Sequence, residues 1–385
     1  VPENADIAVV GAGLIGLAIA FELAEQGATV RVYDRDEPAR AASWAGAGML
    51  APFAENAKDE ALLALCAGSL TEYPRFAERV CDVGDVDPRL HLDGIVHAAF
   101  GDAQRAQLQQ RAGRFRERGV DCEMLDRAQT IALEPWLGRH VSGALFVRGE
   151  GHVDNRRLGR ALVAACRARG VAIARIGSLA VECDARRVLG VRTDLGFTPA
   201  GAVINAAGAW AGRIDGVPAA CLPPVEPRKG QMLALEAPAG FVRHATWTSQ
   251  TYLVPRDDGR LLVGATDERV GFDLRVTAAG IGGLLEAVLT AAPSLGGFTI
   301  SETWTGLRPG TPDGRPYLGT TPLSGLYVAA GHYRNGILLA PITARLLSAC
   351  VRGESGAELA PFALERSPKV TGEMESALRD ANEAS

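Results

Sequence analysis

The sequence predicts an α/β fold in which a parallel-sheet domain is interleaved along the chain with an α+β domain built on a mostly antiparallel sheet. Three observations carry this. A strand, a glycine turn, a helix and a second strand follow one another over residues 6–34. Pieces of the same kind return near 150–210 and again after 300, and antiparallel strand-and-turn signals fill the gaps. Length agrees, since 385 residues exceed what one simple core accommodates.

Residues 6–10 are apolar and β-branched and read as a buried strand. Gly11-Ala-Gly-Leu-Ile-Gly16 breaks the strand, residues 17–26 have helical composition up to Gly27, and residues 29–33 form a second strand ending on Asp34. The whole is a crossover unit of about 30 residues, the size a parallel pair needs. Residues 41–50 are Gly, Ala and Ser-rich, which suits a tight turn or a wall lying close to a ligand.

Helices are predicted over 58–82 and 103–118, with a strand at 91–100 between them. Residues 158–169 form an amphipathic helix closed by Gly170, followed by a strand at 171–175, and residues 202–208 run from strand into glycine. Residues 231–236, 251–255 and 260–265 read as neighbouring strands, the last two joined by the Asp257-Asp-Gly259 turn. A helix at 276–290, a strand at 326–330 and a helix from 336 to 350 complete the order, and a polar tail follows Arg366.

Composition excludes several classes. With 47% apolar and 22% charged residues the chain is an ordinary packed protein, and a net charge of −5 offers no basic stripe for nucleic acid. Seven cysteines without a CxxC pair give neither a disulfide framework nor, with six dispersed histidines, a zinc pattern. The longest apolar run, 7–21, is too short for a membrane span and has acids rather than bases before it. A cytoplasmic protein with reduced thiols and no metal is expected.

Alone, GxGxxG is a weak signal, but here a strand precedes it, a helix follows it and Asp34 ends the next strand. Gly11 allows the turn, Gly13 lets the backbone approach a pyrophosphate, and Gly16 lets helix and strand pack closely. The helix start, at Leu14 and Ile15, then offers N–H groups to phosphate, and Asp34 accepts ribose hydroxyls. This is a dinucleotide site. NAD and FAD share the turn. Three later features favour FAD: the small-residue wall at 41–50, the segment Asn205-Ala-Ala-Gly-Ala-Trp210 beside the adenosine half, and Gly331-His-Tyr-Arg-Asn-Gly336 opening a late helix. A helix start there offers N–H groups to the flavin edge that becomes negative on reduction.

Together these stretches resemble the D-amino-acid oxidase superfamily and, within it, the glycine oxidase group. The resemblance runs from Asp6 to about Phe362. It rests on Ala42-Ser-Trp-Ala-Gly-Ala-Gly-Met-Leu-Ala-Pro52, Tyr252-Leu-Val-Pro-Arg-Asp-Asp-Gly-Arg-Leu-Leu-Val-Gly-Ala-Thr266, Gly306-Leu-Arg-Pro-Gly-Thr-Pro-Asp-Gly-Arg-Pro-Tyr317 and Gly331-His-Tyr-Arg-Asn-Gly-Ile-Leu-Leu-Ala-Pro341. It implies a Rossmann-like FAD-binding domain of the glutathione reductase type, assembled from 1–82, 145–212 and 300–365, and a substrate domain from 83–144 and 213–299, with 366–385 as the tail.

The resemblance also implies roles. Arg308 clamps a substrate carboxylate, Tyr252 hydrogen-bonds the same group, and Arg334 sits beside flavin and substrate. FAD contacts are expected from Arg35, Ala42, Ser43, Ala47, Gly48 and Met49, from Leu179 and Gly208 with Trp210, from Arg308, and from His332, Arg334, Asn335, Gly336, Ile337 and Leu338. Met49 and Glu55 lie on the rim of the substrate pocket. Trp247, Gln250 and Asp267 stand where glycine oxidases carry Tyr, His and Met, so the substrate is expected to be larger or more polar than glycine. The cysteine that binds flavin covalently in sarcosine oxidases is missing near Arg308, which implies non-covalent FAD.

The implied chemistry is oxidation of a small amino acid or N-substituted glycine to an imine, with hydride passing to the flavin and O2 as the expected acceptor. The imine hydrolyses to a 2-oxo acid and an amine or ammonia. A quinone-linked dehydrogenase, an NAD-dependent dehydrogenase and a non-catalytic flavin module remain alternatives, and a homo-oligomer is compatible with the sequence.

Overall fold

The protein, seen as a computed structural model, is described over residues 7–56, 59–354 and 356–366. Asp6, Lys58 and the tail beyond Arg366 lie outside the described residues. Two large sheets organise the molecule. The first holds six strands in the order Tyr317–Thr320, Leu326–Ala330, Ala202–Asn205, Ile7–Val10, Val30–Asp34 and Ala172–Arg175. All neighbours run parallel except the first two.

Ile7–Val10 and Ala202–Asn205 are buried at every position, as a parallel sheet covered on both faces requires. Helices Leu14–Glu25, Glu60–Gly84, Asn155–Ala168 and Ala340–Val351 share one core with Val9, Val32 and Ile204. On the other face an antiparallel meander, Leu179–Cys183, Val188–Thr193 and Gly196–Pro199, packs Val181 and Val191 against Ala8, Val10 and Val203. Two of the helices start on an aspartate: Asp59 accepts the Leu62 N–H and Asp154 the Arg157 N–H.

The second sheet holds eight strands in the order Ile300–Gly310, Glu226–Glu236, Arg260–Gly264, Tyr252–Pro255, Ala245–Trp247, Ile95–Ala99, Gly143–Val147 and Cys122–Leu125. Its ladder is antiparallel except where Ala245–Trp247 meets Ile95–Ala99. Helix Ala278–Ala291 packs Leu284 and Val288 against Leu233, Leu253 and Val263 of this sheet. The sheet takes in Gly143–Val147 and Ile300–Gly310, so it reaches past residues 144 and 299.

Among the element boundaries that differ from the sequence reading, two touch the site. The first helix begins at Leu14, inside the glycine turn rather than after it. The late helix begins at Ala340, not at 336; residues 333–339 form turns in which Asn335 N–H bonds His332 O and Leu339 N–H bonds Asn335 O. Pro341 marks the true start, because proline fits the first helical turn, where its missing N–H has no partner to lose. No helix among the described residues is long and apolar enough to cross a membrane.

Candidate active site

Ile7–Val10 and Ala202–Asn205 end side by side, Val10 opposite Asn205, and the chain turns over their ends at Gly11 and Ala206. A Cβ on Gly16 would lie 2.0 Å from the Gly11 carbonyl oxygen, so the helix can begin this close to the turn only with glycine there. Asp34 secures the same turn: Oδ2 accepts the Ala12 N–H at 2.7 Å and Oδ1 the Asp36 N–H at 3.0 Å. A carboxylate has further lone pairs, which leaves it able to accept from ribose. Ser43 Oγ accepts the Leu14 N–H at 2.9 Å and keeps its own proton to donate into the cleft.

Gly11, Asp34, Arg35, Leu179 and Trp210 line an outer cavity of ≈ 290 Å³. Leu14, Ile15, Ala47, Gly48, Met49, Gly336 and Ile337 line an inner one. Gly13, Ala42, Ser43 and Gly208 border both, so the two cavities form one elongated cleft. The Arg35 guanidinium stacks 4.1 Å from the Trp210 ring centroid and walls the outer end. A helix N-terminus, an acceptor carboxylate at one end and a second, glycine-walled space at the other together fit FAD.

At the inner end two side chains lie flat over glycine. Arg308, on Ile300–Gly310, crosses Gly230 of the neighbouring strand, where a Cβ would fall 2.5 Å from its guanidinium nitrogens. Tyr252 covers its register partner Gly264, where a Cβ would fall 2.7 Å from the phenol ring. Arg308 Nη1 donates to Thr266 O at 3.0 Å, and no carboxylate among the described residues pairs with it. Met232, Ala265, Tyr333 and Arg334 complete the pocket around these two.

Asp267 stands at the rim. It takes a two-pronged bond from Arg228, at 3.0 and 2.9 Å, one from Arg334 at 3.1 Å and one from the Tyr333 hydroxyl. Burial pushes its carboxyl upward, but the bonds from Tyr333, Arg228 and Arg334 outweigh that and hold it below its ordinary value. Two guanidiniums share one carboxylate, so the rim keeps surplus positive charge. His332 is fully enclosed, its Nε2 3.2 Å from Thr343 Oγ1, and burial pushes its pKa down to about 3. A neutral ring of this kind is structural, and any flavin contact falls to its backbone.

Of the residues named from the sequence, Gly16, Asn335 and Leu338 do not line the cleft: Leu338 is buried in the core and its carbonyl accepts the Ser69 hydroxyl. Trp247 lies behind Tyr252, ring centroids 5.3 Å apart, and Gln250 is exposed on the turn before it. Glu55 belongs to the short helix Pro52–Asn56, and its side chain lies outside the described residues. Sequence reasoning missed Arg228, Tyr333 and Met232. Tyr333 stands inside the 331–336 motif, where no spacing singles it out; in the structure its backbone is left-handed, φ 48°. Arg228 is found only through strand register, directly opposite Arg308.

A parallel-sheet dinucleotide cleft opening onto an arginine–tyrosine pocket on an antiparallel sheet defines a flavoprotein of the oxidoreductase class. Residues 6–350 match the family described as FAD dependent oxidoreductase, and the chain belongs to that family. It is 35% identical to glycine oxidase of Pseudomonas putida, over 93% of this chain and 98% of that one. The crystal structure of glycine oxidase from Geobacillus kaustophilus superposes with a TM-score of 0.89 at 33% identity, covering 94% of this chain and 99% of that one. That of iminodiacetate oxidase from Chelativorans gives 0.84 at 30% identity, covering 93% and 98%. The bifunctional protein ThiO/ThiG of Trichormus variabilis is 38% identical over 89% of this chain, and the chain spans about half, 52%, of that protein's length.

Proposed function

We propose that the chain is an FAD-dependent oxidase of a small amino acid or N-substituted glycine, with FAD held non-covalently in the cleft. The observation that carries the reading is Arg308: a cation without a carboxylate partner among the described residues, lying flat at the point where the cofactor cleft meets Tyr252. A guanidinium in that state suits a substrate carboxylate, held by two parallel hydrogen bonds. Glycine oxidases and an iminodiacetate oxidase among the relatives support the substrate class.

Bound FAD would accept hydride from the substrate carbon that bears nitrogen and pass the electrons to O2, giving H2O2. The chain's own part is orientation. Arg308 fixes the carboxylate, the Tyr252 hydroxyl bonds its second oxygen, and the surrounding Met49, Met232 and Ala265 limit water around the reacting carbon. The amine loses its proton on binding, so no side-chain base is needed, and the neutral, enclosed His332 offers none. The imine leaves and hydrolyses to a 2-oxo acid and an amine or ammonia. Arg334, at the mouth, faces whatever the nitrogen carries. The cofactor domain comprises the chain around the six-stranded sheet and the substrate domain that around the eight-stranded sheet. Seven free cysteines favour a reducing, cytoplasmic setting.

The test is anaerobic. The FAD-loaded protein is mixed in turn with glycine, sarcosine, iminodiacetate and D- and L-amino acids, and then exposed to air. Bleaching by one class, with recovery and peroxide in air, supports the reading; bleaching without recovery transfers it to a dehydrogenase with another acceptor. An Arg308→Ala variant is expected to retain FAD and lose about a hundredfold in kcat/KM. Normal turnover and affinity in that variant would sink the clamp.

A further inference from the structure

A second cleft, of ≈ 920 Å³, lies behind the first, and none of the catalytic or cofactor residues above lines it. Its walls are the loop at 37–40, helix Asn155–Ala168, the strands bearing His91 and His152, and the turn at 256–260. Arginines outnumber carboxylates eight to four on its lining, in a chain whose net charge is −5. The local sign is opposite to that of the whole molecule.

Most of these arginines are held by the protein. Arg156 forks onto Glu302 at 2.8 and 3.1 Å, Arg260 bonds Asp258, and the buried Arg256 donates to Ala47 O at 2.8 Å. Arg40, Arg160 and Arg167 have no carboxylate partner among the described residues. Arg40 stacks 4.4 Å from the Trp44 ring centroid. Arg160 and Arg167 are exposed on one face of the helix, separated by about 10 Å along its axis. Beneath the cleft, His152 is 5% exposed, and its Nδ1, enclosed in protein, has no hydrogen-bond partner among the described residues. Burial, then the nearby Arg256, hold this ring neutral.

We propose that this cleft binds a small organic polyphosphate, with Arg40, Arg160 and Arg167 holding the phosphates. Guanidinium forks match phosphate oxygens, and the spread of the three arginines suits two or more linked phosphates rather than one. The volume lies at the upper end of the range for small-molecule sites, room for a nucleotide. One layer of chain divides the two clefts. Met49 on the catalytic side pairs with His152, and Asn155 Nδ2 bonds Ser43 O at 2.7 Å. A ligand in the second cleft would therefore share a wall with the flavin site.

Isothermal titration of the FAD-loaded protein at 0.15 M salt, with tripolyphosphate, ADP, inorganic phosphate and citrate, tests this. The expected result is one saturable site, micromolar for tripolyphosphate and ADP, at least tenfold weaker for phosphate and citrate, and weakened at least tenfold in the Arg160→Ala/Arg167→Ala double variant. Both positions are exposed, so that variant should keep its FAD content and visible spectrum, which controls for folding. Millimolar or unsaturable binding, equal affinity for citrate and tripolyphosphate, or an unchanged Kd in the double variant would each overturn the proposal. So would a double variant with altered sedimentation when the parent protein binds no polyphosphate, which would assign the cleft to a contact between subunits.

Discussion

The two ends of the catalytic cleft are built by different means. The dinucleotide end is made of backbone: a glycine turn, a helix start, and a carboxylate that holds the turn as well as lining the cleft. The proposed substrate end is made of side chains from two strands and a loop, Arg308, Tyr252 and Asp267, each placed by what lies beneath or beside it. Backbone sites tolerate no side chain in the wrong place, so a small change there is ruinous. Side-chain sites shift by degrees. Substitutions ought therefore to separate the two ends cleanly, cofactor content failing at one and substrate affinity at the other.

The largest expected effect is at Gly16. A valine puts carbon into space occupied by the Gly11 carbonyl, 2.0 Å from the ideal Cβ, and the neighbours are backbone that cannot rotate away. We expect a cost of about 3 kcal/mol or more and a protein that loses FAD, read from the flavin-to-protein absorbance ratio and Tm. A Gly16→Val protein with full flavin content would break the contrast at its strong end.

Gly230→Ala is the matching change at the substrate end. Its Cβ would meet the Arg308 guanidinium at 2.5 Å, and that group is the end of a flexible side chain. It should move rather than unfold the sheet. KM is expected to rise about 10- to 100-fold for carboxylate substrates, with flavin content and Tm nearly unchanged. A fall in Tm comparable to that of Gly16→Val would show that the two ends are not distinct in kind.

How much could be read beforehand follows the same division. The glycine turn, Asp34 and the crossover unit were legible because their chemistry is local: each partner lies within one β-α-β unit. The motif at 331–336 was expected beside the cofactor and does border the inner cavity, yet the helix expected there starts at Ala340, because Pro341 sets the first turn and the motif folds back on itself instead. Strand register hid the rest. Trp247 supports Tyr252 from behind, Gln250 points outward, and Arg228 enters because it faces Arg308 across two strands. No spacing along one chain states which strands will be neighbours.

Histidines buried in the two regions provide a finer comparison. Burial pushes His332, beside the cofactor cleft, and His97, in the eight-stranded sheet, each down to about 3. A folded pKa below the unfolded value near 6.5 means stability that is fully present above 6.5 and lost as pH falls toward 3. Denaturant titrations between pH 6 and 4 should show His332→Asn and His97→Phe each flattening the pH dependence by up to ~1.4 kcal/mol per pH unit. Should only His97→Phe do so, the cofactor end would be opening to water before the rest of the fold, and the enclosure of His332 would not hold in solution.

The smallest effect expected is at Asp267, and it bears most directly on the substrate. Its carboxylate neutralises part of the charge of Arg228 and Arg334 at the pocket mouth. Asp267→Asn keeps the shape and removes the negative charge, so the rim becomes more cationic. A substrate with a second carboxylate on its nitrogen, such as iminodiacetate, should gain about three- to tenfold in kcat/KM relative to glycine, the scale of a half-exposed charge interaction near 1 kcal/mol. Substrates with a cationic substituent should lose by a similar factor, and raising salt should shrink both changes. An unchanged iminodiacetate-to-glycine ratio would mean that the second group never reaches the rim. Asp267 would then only brace Arg228 and Tyr333, and the pocket's preference would have to come from Met49, Met232 and the ring of Tyr252 instead.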